Sequence, residues 1–279
     1  MGARGKSVDQ EPAFVLHGYP YRETSLLVDV FTQNYGRVML VARGARRPRS
    51  ESRGLLQAFQ PLALSWVGGN EIKTLTKAEW QGGMALPKRG ALMSAFYLNE
   101  LLLRFLPRED AHPNLFAAYQ TTITALSEPQ NGTVDTQSLR RFEMALLSEL
   151  GYAPVLAHER ARHAKNAEEV PPIEPDKKYR YFFERGALPV DEKSLKEAKP
   201  IAPETLARSH EIISPEVPIV HGKTLLALST GVFPDTETQT EARQLMAQVI
   251  NHHLENRPLH SRQIMRELTK MKRGGFGKT

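Results

Sequence analysis

The sequence predicts an α+β protein: a small closed β-barrel at the N-terminus, then a mainly α-helical domain carrying a loop-rich insert. Three observations predict it. Short apolar runs separated by tight turns crowd the segment from Ala13 to Trp80, a pattern that suits a closed barrel better than a sandwich. Past Pro87 the apolar period lengthens to that of a helix. From His158 to about Ile219 the composition turns charged and proline-rich, with Pro171, Pro172, Pro175, Pro200, Pro203, Pro215 and Pro218 among its residues.

The strands follow in order. Phe14 to Leu16 opens the barrel, and Thr24 to Thr32 continues with partial alternation. Asn34-Tyr35-Gly36 makes a hairpin turn into a strand from Arg37 to Ala42. Phe59 to Val67 and Glu71 to Ala78 complete the set around the turn Gly68-Gly69-Asn70, and Pro61 argues for an edge or a bulge in the fourth run. Ala91 to Leu106 is apolar nearly all round, as a buried helix is. Pro113 sits near the start of a second helix, Asn114 to Leu126. A third runs from Ser138 to Leu150, stopped by Gly151, and Arg140 and Arg141 fall in its first turn, where the helix dipole opposes cations. Within the insert, Tyr179 to Phe183 reads as a short strand, and the rest as loose and partly disordered. Helices return at Lys223 to Ser229, Thr236 to Leu254 and Ser261 to Met271. The domains are drawn as 1–85 for the barrel and 86–279 for the helical part, with the insert at 158–220.

The most informative segment is GRVMLVARGARRPRSESR, from Gly36 to Arg53. Its loop sets Arg43, Arg46, Arg47, Arg49 and Arg53 against one acid, Glu51, and has no apolar face to bury. Guanidinium groups at that density repel one another unless water or a polyanion screens them, and each can fork onto phosphate oxygens. The bland reading is a solvated surface loop. The sharper one is a clamp for a phosphate backbone, with Arg37 of the preceding strand counted in the DNA-binding set. Tyr19, Tyr21 and Tyr35 lie in turns beside charges, where they either stack on unpaired bases or simply cover the barrel.

The net charge is +6, and the basic excess gathers in this loop and in a tail where Arg257, Arg262, Arg266, Lys270, Lys272, Arg273 and Lys278 face only Glu267. An acidic partner is expected, nucleic acid first. The absence of cysteine excludes disulfides, a thiolate nucleophile and any sulfur-based zinc site. His221-Gly222-Lys223-Thr224 resembles the end of a phosphate-binding loop, but Val217 stands where glycine is required and Pro218 interrupts it. His158 and His163 are five residues apart and His252 and His253 are adjacent, so neither pair has zinc-helix spacing. No catalytic residue, metal site or cofactor is expected. No apolar run approaches a membrane span, and the expected setting is cytoplasmic.

In these residues and their order the chain resembles the RecO family of DNA repair proteins. The resemblance is carried by AFVLHGYPYRETSLLVDVFTQNYGRVMLVARGARRPRS from Ala13 to Ser50, and by LRRFEMALLSELGY from Leu139 to Tyr152. LLALSTGVFPD from Leu225 to Asp235 and RPLHSRQIMREL from Arg257 to Leu268 extend it. It implies an OB-fold that binds single- and double-stranded DNA and anneals complementary strands without a cofactor. It also implies a nucleoid-associated recombination mediator that acts with RecR to help RecA replace single-strand-binding protein (SSB). Some members carry a four-cysteine zinc module in the region of the insert, and this chain does not. SSB proteins end in an acidic tail tipped by an apolar residue. The resemblance implies that such a tail is bound, and the basic rim beside the stripe Leu139, Phe142, Leu146 and Leu150 places it at Arg140 and Arg141. An OB-fold module for structured RNA is the alternative, since composition does not separate it from a DNA binder.

Overall fold

The computed structural model describes residues 7–128, 135–154, 156, 171–183, 186–190 and 218–274. They divide into two compact units: residues 1–135 with 257–279, and residues 136–256. The barrel's companions in the first unit are the helices on either side of the gap. By packing, the first boundary thus falls well beyond the change of period at Pro87.

The first unit is built on a closed barrel in the order β1-β2-β3-β5-β4. Its strands are β1 (Ser7–Tyr21), β2 (Ser25–Thr32), β3 (Gly36–Ala42), β4 (Pro61–Val67) and β5 (Ile72–Trp80), with α1 (Glu51–Leu55) between β3 and β4. Val15, Val28, Val30, Val38, Leu40, Leu62, Leu64 and Trp66 fill its interior. β1 is far longer than Phe14 to Leu16, because Pro12 and Pro20 and the polar run Asp9 to Glu11 hide its alternation. Pro61 is the first residue of its strand, a position where its missing N–H costs no ladder bond.

One irregularity in β1 reorients everything after it. Phe14 pairs with Phe31 and Val15 with Val30, but His17 pairs with Asp29, leaving Leu16 as an extra residue. Phe14 points outward, onto Phe116 and Tyr119. Strict alternation would therefore send Leu16, Gly18 and Pro20 outward and Tyr19 and Tyr21 inward. The extra residue reverses that parity, so His17, Tyr19 and Tyr21 share the outer face. The bulge is held from outside the barrel: Asn99 Nδ2 donates to Leu16 O at 2.9 Å, and the buried Tyr119 hydroxyl donates to Asn99 Oδ1 at 2.6 Å. Burial pushes the Tyr119 phenol far above its ordinary pKa, so it stays a donor.

Two helices pack on this barrel, α2 (Gly90–Phe105) and α3 (Pro113–Ser127), and a helix from the far end of the chain, His260–Gly274, packs on α2. Gly36, with φ +64°, closes the β2–β3 turn where a Cβ would meet the Asp110 carbonyl oxygen at 1.8 Å, so only glycine fits.

The second unit begins with α4 (Thr136–Glu149), which ends in a Schellman turn: Tyr152 N donates to Leu147 O and Gly151 N to Ser148 O. A three-stranded sheet follows, β6 (Lys178–Phe182) between β7 (Gly186–Pro189) and β8 (Ile219–His221). Sequence reading found only the first of these strands. Tyr179 and Tyr181 are fully buried against α5 (Gly222–Thr230) and α6 (Thr236–His253), within one core that includes Leu147, Leu225, Leu245 and Met246. The expected looseness of residues 157–170 and 191–217 lies outside the described residues. The helix of the first unit that follows is α7 (His260–Gly274).

Candidate nucleic-acid interface

β3 delivers the chain to the arginine loop at one end of the barrel. That end is fixed by register: Ala42 pairs with Leu26, and Ser25 pairs with Tyr21, so the β1–β2 turn and the loop after β3 lie side by side. The two are joined directly. Arg46 N donates to Thr24 O at 2.9 Å, and its guanidinium lies 3.3 Å from Arg22 O and 3.4 Å from Glu23 O. Ala45 is buried and pins the loop while Arg43, Arg46, Arg47, Arg49 and Arg53 stay exposed. Successive turn bonds, Arg47 N to Gly44 O and Ser50 N to Arg47 O, lead into the single turn of α1, which the sequence did not announce. Among the described residues, none of these five arginines enters an ion pair.

Arg37 does not belong with them. Its Nε and Nη2 donate to both oxygens of Asp29, each at 2.9 Å, and its Nη1 donates to Leu103 O and Leu106 O at 2.8 and 3.1 Å. The guanidinium thus neutralises a buried carboxylate and caps the carbonyl end of α2, where a cation suits the helix dipole. A group so committed holds the fold, whereas the loop arginines hold no carboxylate among the described residues. Lys73 is similarly tied to Glu109.

The second unit places the other two arginines differently from one another. α4 starts at Thr136, so Arg140 and Arg141 are in its second turn and clash less with the dipole than expected. Arg140 is buried, pairs with Glu143 at 2.5 Å and, among the described residues, has an Nε–H with no hydrogen-bond partner. It lines a small pocket with Thr136, Leu139, Phe233, Gln239 and Arg243. Arg141 is exposed and turns away, its Nε donating to the Gly231 carbonyl at 2.9 Å. Arg243, exposed on α6, was missed because 103 positions separate it from Arg140 and nothing local marks it.

His221, Glu237 and Glu241 converge with ligand-type atoms within 4.8 Å, a juxtaposition that helix spacing alone could not show. Their charges are already answered. Lys223 Nζ sits 2.6 Å from Glu237, and Glu241 accepts from Thr224 Oγ1 at 2.6 Å and contacts His221 Nδ1 at 2.7 Å. Burial raises the Glu241 carboxyl, but the bonds from Thr224 and from the His221 N–H and ring outweigh it, and the pKa lies below the ordinary value. An ammonium occupies the neighbourhood where a cation would be wanted.

A small closed barrel of the OB type with a crowded cationic end, extended by helices, defines the class of protein. Family models described as Recombination protein O N terminal and Recombination protein O C terminal match residues 8–84 and 87–209. The chain belongs to the RecO family of DNA repair proteins. It is 44% identical to the DNA repair protein RecO of Dechloromonas aromatica over 97% of this chain and 100% of the relative. With that of Azoarcus sp. it shares 43% over 95% of this chain and 98% of the relative, and with that of Aromatoleum aromaticum 45% over the same two shares. Among the described residues no helix is long and apolar enough to cross a membrane.

Proposed function

We propose that this chain binds single- and double-stranded DNA through Arg43, Arg46, Arg47, Arg49 and Arg53 and anneals complementary strands without chemistry of its own. The observation that supports this is the exposure of five guanidinium groups, none in an ion pair among the described residues, on a loop anchored to a rigid barrel. Annealing requires only that two polyanions be neutralised enough to meet while their bases remain free. Phosphate-directed contacts give little sequence preference. In the same reading the protein joins RecR and helps RecA replace SSB on single-stranded DNA. The SSB tail docks at the pocket of Leu139 and Phe233, with Arg140 and Arg243 as its basic rim and Arg141 bracing the neighbouring turn.

About four phosphate contacts on a single strand give a slope of roughly −3 in log K against log salt. Raising salt from about 50 to about 200 mM then weakens binding on the order of 10²-fold. Replacing Arg46, Arg47 and Arg49 together with alanine is expected to flatten that slope without unfolding the barrel. An unchanged slope sinks the proposal, and tighter binding of folded RNA than of single-stranded DNA moves it to RNA.

A further inference from the structure

Beyond the arginine loop, the tip of the β1–β2 hairpin differs from the rest of the barrel wall. From His17 to Pro20 every residue is exposed, on both faces of the strand, so this stretch stands proud of the core that Val15 and Val28 close. Exposure on both faces leaves a strand little reason to carry large aromatic groups, yet Tyr19 is 42% exposed here. Its ring rests against His17 at 4.4 Å between centroids, and two positions on, the Arg22 guanidinium lies 5.2 Å from the centre of the Tyr21 ring. The bulge at Leu16 puts these rings outward, and the Asn99–Tyr119 relay fixes the bulge. Arg46 binds the backbone of the very turn that follows, so phosphate-gripping groups and exposed rings share one end of the barrel.

We infer that this hairpin tip is a stacking platform for an unpaired nucleobase, with Tyr19 as the ring that receives it and His17 as its buttress. The inference rests on the DNA-binding reading and deepens it: the platform takes single-stranded nucleic acid, whose bases are free to leave the stack, and not intact duplex. Arg22 covers Tyr21, which serves as the edge of the platform. Tyr35 has no such part. It sits in the β2–β3 turn at the opposite end of the strands, packed edge-on to the buried Trp66 at 5.4 Å.

The test compares the full chain binding a single-stranded thymidine oligonucleotide with an abasic oligonucleotide of equal length and charge, and with duplex. Wild type is expected to favour the base-bearing strand over the abasic one by about tenfold, the scale of one aromatic stack. Tyr19→Leu should remove that preference while keeping the salt slope and the duplex affinity. Tyr19→Phe should keep the preference, and Tyr35→Leu should not alter it. Photocrosslinking with 5-iodouracil in the strand should map to Tyr19. Equal binding of the base-bearing and abasic strands by wild type overturns the platform and leaves the phosphate clamp standing. So does a crosslink at Trp80 in place of Tyr19. Failure of the full chain to bind any of the three nucleic acids overturns both.

Discussion

Replacing Arg37 with alanine is expected to destabilise the first unit by about 3–5 kcal/mol, because Asp29, 1% exposed, is left with its main counter-charge removed. Thermal unfolding measures this, and a stable Arg37→Ala protein that has lost DNA affinity would instead return Arg37 to the binding set. Composition makes Arg37 and Arg43 look alike; only the partners supplied by β2 and α2 tell them apart. The same holds in α4. Arg243→Ala is expected to weaken an acidic, apolar-tipped tail peptide by roughly 1–3 kcal/mol with little change in melting temperature. Arg140→Ala should lower both, since buried Glu143 loses its guanidinium partner. Wild-type peptide affinity in both variants places the tail elsewhere. What single residues could announce, exposed arginines without acids, was readable. What depended on a partner distant in sequence was not.

At the scale of elements, one carboxylate of α2 caps the start of α7. Glu100 accepts from the backbone N–H of His260 and Ser261 at 2.8 and 2.9 Å and from the Ser261 hydroxyl at 2.6 Å, capping α7 from a neighbouring helix. Burial raises its pKa, but these bonds outweigh burial and hold it below the ordinary 4.5. A lowered carboxyl stabilises the fold fully above the ordinary value and loses that contribution as pH falls through the lowered one. The Ser261 amide signal is therefore expected to carry an acid transition below about pH 4.5. In Glu100→Gln that acid transition should vanish; its persistence would point to another group. The helices themselves were legible, since α2, α3 and α6 carry apolar periods long enough to read. The full length of β1 and the two strands that flank β6 were not. Prolines interrupt the first, and β6 finds its partner β8 roughly 40 residues on, a pairing no local pattern signals.

For the whole molecule, metal is expected to contribute nothing to stability. The carboxylates of the His221–Glu237–Glu241 group already face Lys223, Thr224 and His221, so chelation should leave the melting temperature unchanged. Elemental analysis finding one zinc per chain, with a melting temperature that drops on chelation, would refute this. The order of barrel and helices was visible in sequence because each has its own apolar period. The boundary at 135/136 was not, since it depends on which helices the barrel retains. That retention has a consequence for how the chain is made. The first unit is discontinuous: residues 136–256 lie between its two parts. A ribosome releases β1 through α3 long before it reaches Ser261, so the nascent barrel must wait without the helix that Glu100 later caps. The unit that carries the arginine loop is completed last, although its first strand is the first to emerge.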